Sequence, residues 1–103
     1  MLNQVESLLA EYAGNLDNLH VEIVANGTGL NLYRADNARF AAKIQKLRES
    51  YKNVAFLGCQ STYHSLSREY GEELTLIPEI VMVRLGISHV LQRQRAGWAY
   101  IQA

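Results

Sequence analysis

Apolar residues recur at intervals of three and four along residues 2–13. Leu2, Val5, Leu9 and Tyr12 form one stripe, with Leu8 alongside, and this spacing predicts a helix that Gly14 stops. The period changes to two in HVEIVAN (20–26), where Val21, Ile23 and Ala25 alternate with Glu22, which predicts a strand. The loop NGTG (26–29) ends it. Residues 35–50, ADNARFAAKIQKLRES, return to helical spacing. Phe40, Ile44, Leu47 and then Tyr51 share a face, and Arg39, Lys43, Lys46 and Arg48 fall on the solvated remainder. NVAFLG (53–58) is a continuous apolar run of the kind that parallel sheets bury on both faces.

Residues 61–70 predict a short helix with Ser61 as its N-cap. EELTLIP (72–78) is an irregular connection that ends at Pro78, and EIVMVRL (79–85) is a third strand. GISHVLQRQRAG (86–97) predicts a helix with Ile87, Val90 and Leu91 turned inward and Gly97 as its stop. WAYIQ (98–102) reads as a closing strand whose Trp98, Tyr100 and Ile101 pack in the sheet or line a subunit interface. Strands alternating with helices imply a mostly parallel sheet of about four strands with helices on its faces. The chain opens on a helix, whereas the first strand of a three-layer α/β domain is often central. Either four strands suffice, or another chain supplies one, or the true start lies upstream.

Composition narrows the function classes. At 103 residues and 49% hydrophobic, the chain supports one folded domain over residues 1–103 with one core. Ten basic residues balance ten acidic ones, which argues against a nucleic-acid surface and gives little electrostatic protection against self-association. No apolar run is long enough for a membrane span, and the N-terminus lacks a basic region and carries Glu6 and Glu11, so it is a poor signal peptide. One cysteine excludes an internal disulfide, and a lone thiol without an export signal fits a cytoplasmic location.

That cysteine is the first chemical candidate. Cys59 lies where the apolar strand ends and a helix begins, at the carboxyl edge where open parallel sheets bind ligands. Free N–H groups and the positive end of the helix dipole favour a thiolate there. The plainer reading is a small buried hydrophobe, and position alone does not separate the two. The loop Asn26, Gly27, Thr28, Gly29 could form an anion nest on the same edge, although G-x-G without a further glycine is a weak fingerprint and a tight turn needing positive φ is preferred. His64 lies five residues after Cys59 and reads best as solvent-facing. His20, His64 and His89 have no metal-ligand spacing, so no metal is expected. Arg68 reads as surface. Arg84, inside an apolar strand near its end, is a better anion candidate. No P-loop or nucleophile elbow is present.

Three segments together resemble the DsrE/DsrF-like family, in particular its short bacterial and archaeal branch. They are VEIVANGTGLNL (21–32), VAFLGCQSTYHSL (54–66) and LQRQRAGWAYI (91–101). The resemblance covers nearly the whole chain. It implies a flavodoxin-like three-layer α/β/α fold and homo-oligomers, trimers or hexamers. It also implies a persulfide-carrying cysteine at the position of Cys59. Thr62 and Gly86 match the pattern; Ser61 stands where asparagine is usual and Arg84 where proline is usual. The family's opening strand has no counterpart. In the family order it would lie between the strands at 21–26 and 54–58, so a gap, a re-paired sheet or an exchange between subunits is expected.

The leading expectation is therefore a sulfur-relay protein. Cys59 would hold sulfane sulfur between donor and acceptor proteins, as a carrier or transferase and without a cofactor. Ser61, Thr62, Arg84, Gly86 and the Asn26–Gly29 loop would shape its pocket. The alternatives are a non-catalytic oligomeric module for a small anionic ligand or nucleotide, and a protein–protein adaptor using the aromatic C-terminal strand.

Overall fold

A computed structural model describes residues 2–12 and 19–101. Helix α1 (Leu2–Glu11) leads to strand β1 (Val21–Ala25), a 3-10 segment (Gly27–Tyr33), helix α2 (Ala38–Ser50) and strand β2 (Val54–Cys59). Helix α3 (Gln60–Tyr70), strand β3 (Val81–Val83) and helix α4 (Gly86–Arg95) follow. The three strands form one parallel sheet in the order β1-β2-β3. It is an α/β fold of the flavodoxin-like kind, a parallel sheet flanked by helices. Of the gap, re-paired sheet or exchange expected between the strands at 21–26 and 54–58, this chain shows the re-paired sheet. β1 pairs directly with β2 over five residues, from Val21 opposite Val54 to Ala25 opposite Gly58.

The apolar run makes β2 the central strand, and five of its six residues are buried. Because side chains alternate across a strand, Ile23, Val54 and Phe56 point to one face. There they meet Leu2 and Leu9 of α1, Ile44 and Leu47 of α2, Leu66 of α3, and Leu30 and Tyr33 of the 3-10 segment. The Tyr33 ring meets Phe56 edge-on at 6.3 Å and its hydroxyl donates to the Ile23 carbonyl at 2.7 Å, so its one polar atom is satisfied. Burial pushes the Tyr33 phenol well above its ordinary pKa.

α4 covers the opposite face over β1 and β2. Here the sequence-based expectation is corrected. Ile87 is 70% exposed and Leu91 is also exposed, while Val90 is half-buried; the polar residues turned to the sheet are His89 and Arg93, beside buried Gly86. The reason lies beneath it. Glu22 points to this face, and its carboxylate fixes the rotation of α4 through His89 and Arg93.

The predicted closing strand is the second correction, and it reduces the sheet from four strands to three. Residues 98–101 pair with no strand among the described residues; the predicted strand's last residue, 102, and the Gly14 stop lie outside them. α4 instead closes on a left-handed Gly97 (φ 101°). The Gly97 amide donates to the Gln94 carbonyl and the Trp98 amide to the Arg93 carbonyl, the two bonds of a Schellman cap. Trp98 then lies under the Arg93 guanidinium at 4.9 Å. Tyr100 and Ile101 are exposed and do not pack in the sheet.

Other boundaries move for local reasons. α2 begins at Ala38, three residues late, because residues 33–35 are tied to 75–77. The Ala35 amide donates to the Thr75 carbonyl, the Ile77 amide to the Tyr33 carbonyl, and Arg34 bridges Leu76. Arg48 is not simply solvated, since it donates to the Val54 carbonyl at 2.6 Å. β3 is short because the Ile80 amide turns back to the Ile77 carbonyl after Pro78. Tyr12 falls off the buried stripe of α1 and is exposed. No helix among the described residues is long and apolar enough to cross a membrane.

Candidate functional site

Parallel strands place all three strand-to-helix turns on one edge of the sheet, and they meet at Cys59. The thiol-bearing residue is the last of β2, opposite Val83 of β3, and it stands in the N-cap position of α3. Ser61, expected to cap α3, sits in its first turn and is exposed, its amide donating to the Arg84 carbonyl at 3.3 Å. The Gly27 amide reaches across from the β1 turn to the Thr62 hydroxyl oxygen, also at 3.3 Å. Gly86, the first residue of α4, is buried against Asn26. A Cβ at position 86 would collide with Asn26 Oδ1, so a larger residue there requires the Asn26 side chain or α4 to shift.

Cys59 itself is 3% exposed. Burial pushes its pKa up, but the Thr62 hydroxyl outweighs this together with the backbone amides of Gly86, Thr62 and Ser61, and the thiol is held below its usual range. The Thr62 hydroxyl accepts from Gly27 and is left with its proton to give to sulfur. Cys59 thus lies on the strand edge where α3 and α4 begin, and the positive ends of helix dipoles favour a thiolate.

Asn26, Gly27, Cys59, Ser61, Thr62 and Gly86 therefore come together. Arg84 joins them through its carbonyl; its residue lies just past β3, is exposed, and its side chain makes no ion pair among the described residues. The tight turn preferred at 26–29 forms. Gly27 takes the left-handed φ (54°) of a tight turn, its amide is spent on Thr62, and the Gly29 amide turns back to the Asn26 carbonyl. Thr28 and Gly29 continue into the 3-10 segment. His64 and Arg68 line a shallow cavity of about 560 Å³ with Tyr63, Ser67 and Glu72, along α3 toward its C-terminal end. Among the described residues no group of three His, Cys, Asp or Glu side chains is placed to hold a metal ion.

One polar cluster escaped sequence reasoning. Glu22 Oε1 lies 2.8 Å from His89 Nε2 and accepts from Arg93 Nε at 2.9 Å, and Arg93 Nη2 donates to Oε2 at 3.2 Å. Burial raises the Glu22 pKa, but Arg93 and His89 outweigh it and hold the carboxyl below its usual range. The signal was present in the spacing. His89 and Arg93 stand four apart on one helix face, and a lone carboxylate in a strand covered on both faces needs a cationic partner.

No protein-family model matches this chain, and no curated protein matches it. Among solved structures it is similar to a protein of unknown function, MTH1491 from Methanobacterium thermoautotrophicum, at 26% identity. The match covers 98% of this chain and 88% of that one with a TM-score of 0.67, so the two share an α/β fold.

Proposed function

We propose that the protein carries sulfane sulfur as a persulfide on Cys59, in the manner of the DsrE/DsrF-like relay proteins it resembles. One observation carries this reading: Cys59 ends β2 in the N-cap position of α3, opposite Val83 at the end of β3, on the strand edge where the starts of α3 and α4 meet, a place that favours an anionic sulfur. In the loading step the Cys59 thiolate attacks the outer sulfur of a donor persulfide, R–S–SH. A new S–S bond forms to Cys59, the donor's S–S bond breaks, and R–S⁻ leaves. The electron count is unchanged, so no oxidant or resolving cysteine is required. Transfer to an acceptor thiolate is the same exchange in reverse. The position that favours the thiolate also favours it as leaving group and stabilises a bound persulfide anion.

Burial of the sulfur adds a size limit. A donor must be small, or its docking must part the turns around Cys59. Intact mass after exposure to a small hydropersulfide should show a gain of one sulfur on the wild-type chain and none on Cys59→Ser. No adduct under conditions that load an accessible low-pKa thiol would sink the proposal.

A second proposal, self-association, has its own observation. Ile87, Leu91 and Val81 are exposed apolar residues of α4 and the β3 edge, on a chain of zero formal net charge. Homo-oligomers, trimers or hexamers by the resemblance, would cover them.

A further inference from the structure

Asn26 follows β1 and is itself followed by Gly27; no other asparagine of the chain has glycine after it. The side chain of asparagine is a carboxamide, and the amide nitrogen of the next residue can attack it through a five-membered ring. Glycine in that next position leaves the nitrogen uncrowded, because it has no side chain. The folded chain keeps both conditions. Asn26 and Gly27 are exposed, so water reaches the carboxamide, and nothing lies within 4 Å of where a Gly27 Cβ would stand.

The same turn holds the reaction back. Ring closure needs the Gly27 nitrogen to swing about the Asn26 Cα–C bond until it eclipses Cβ, and at ψ 161° it is turned well away. Two hydrogen bonds keep that peptide plane where it is. Its N–H, on Gly27, donates to Thr62 Oγ1 at 3.3 Å, and its carbonyl, on Asn26, accepts from the Gly29 amide at 3.0 Å. Rotation toward attack breaks both, and the bond to Thr62 ties up the attacking nitrogen itself. We propose that Asn26 is a deamidation site whose rate Thr62 sets by holding the Gly27 nitrogen. In the reaction the Gly27 nitrogen bonds to Asn26 Cγ and gives up its proton, the Cγ–Nδ2 bond breaks, and ammonia leaves. Water then opens the cyclic imide. Opening at Cγ leaves aspartate, and opening at the main-chain carbonyl leaves isoaspartate, with an extra carbon in the main chain. Nothing is oxidised or reduced, and water is the co-reactant. Either product places a carboxylate beside Gly86, the first residue of α4, where the positive end of the helix dipole favours it. Isoaspartate also displaces the carbonyl that the Gly29 amide uses and loosens the start of the 3-10 segment.

The test incubates the full chain in mildly alkaline buffer and follows each asparagine by peptide mapping, with isoaspartate separated from aspartate. It compares wild type, Thr62→Val and Thr62→Ser, each folded and in denaturant. The expected result is conversion at Asn26 ahead of every other asparagine, slower in the folded chain than in the unfolded one. Thr62→Val speeds it about fivefold in the folded chain, the order lost with one neutral hydrogen bond, and changes nothing in denaturant. Thr62→Ser keeps the hydroxyl and converts at close to the wild-type rate. An Asn26 that stays intact in folded wild type while another asparagine converts overturns the site. Folded Thr62→Val converting at the wild-type rate overturns the role given to Thr62. Should Thr62→Val fail to fold, wild type alone decides, because equal rates with and without denaturant overturn any restraint by the turn.

Discussion

Thr62 is the residue where the β1 turn and the thiol are joined, since its hydroxyl takes a proton from Gly27 and gives one to sulfur. Thr62→Val keeps the shape and removes both bonds. Alkylation at neutral pH should slow by about tenfold and the pH–rate midpoint should rise; an unchanged profile would mean that the amides alone set the thiol. The folded pKa of Cys59 lies below its unfolded value, so the thiolate contributes stability above the ordinary thiol range, and this is lost as pH falls through the folded pKa. Glu22 follows the same sign at lower pH. Its folded pKa is depressed, so its contribution is present above the ordinary carboxylate value of about 4.3 and disappears as pH falls through the folded one. Acid titration of thermal stability should therefore show a smaller loss in Glu22→Gln than in wild type; equal losses would remove Glu22 from the account. Cys59 was legible in the sequence because an apolar run ending at a helix start marks a strand end. Glu22 was not, because in an alternating strand a lone glutamate reads as solvent-facing until the helix above it is placed.

β1, β2 and α3 could be read from periodicity, which here agrees with burial. α4 could not be oriented that way. Ile87, Val90 and Leu91 make the apolar stripe that periodicity turns inward; Val90 is half-buried, but Ile87 and Leu91 face solvent because the ion pair to Glu22 sets the rotation. WAYI at 98–101 has strand-forming residues, but Trp98 is drawn into the helix cap and onto Arg93, and the rest finds no pairing edge. The tight start of α4 gives a test of how rigidly it is set. In Gly86→Ala the new methyl meets Asn26 Oδ1, so either the Asn26 side chain swings away or α4 lifts. If α4 lifts, alkylation of Cys59 at neutral pH slows and the double variant with Asn26→Ala restores it. If Gly86→Ala alone alkylates like wild type, Asn26 has yielded and the helix start tolerates a side chain. The opposite face is a conventional core. Phe56→Ala there should cost about 3–5 kcal/mol in denaturant unfolding, the range for a buried aromatic truncation, because its ring packs against Tyr33 with no solvent access.

A three-stranded sheet ending in a three-residue edge strand leaves much apolar surface uncovered. Val81 and Met82 of β3, Ile87 and Leu91 of α4, and Ile101, which is 82% exposed, are all in contact with solvent. β3 is paired on one side only, so its other side offers unpaired backbone groups. Scattered apolar residues are ordinary on a protein surface, whereas several beside an open strand edge are the features a subunit interface covers. A second copy of the chain is the natural occupant, because zero formal charge removes the long-range repulsion that keeps like molecules apart. Light scattering after size exclusion should then give a mass above 11.6 kDa at micromolar concentration. Ile87→Glu with Leu91→Glu should return the chain to a monomer with its circular dichroism intact. Both side chains already face solvent, so the paired charges burden an interface and not the core. A wild-type monomer at all concentrations would leave these residues as plain surface. An oligomer that survives both substitutions would place the interface elsewhere, with the β1 edge and the aromatic residues 98–101 as the remaining uncovered ground.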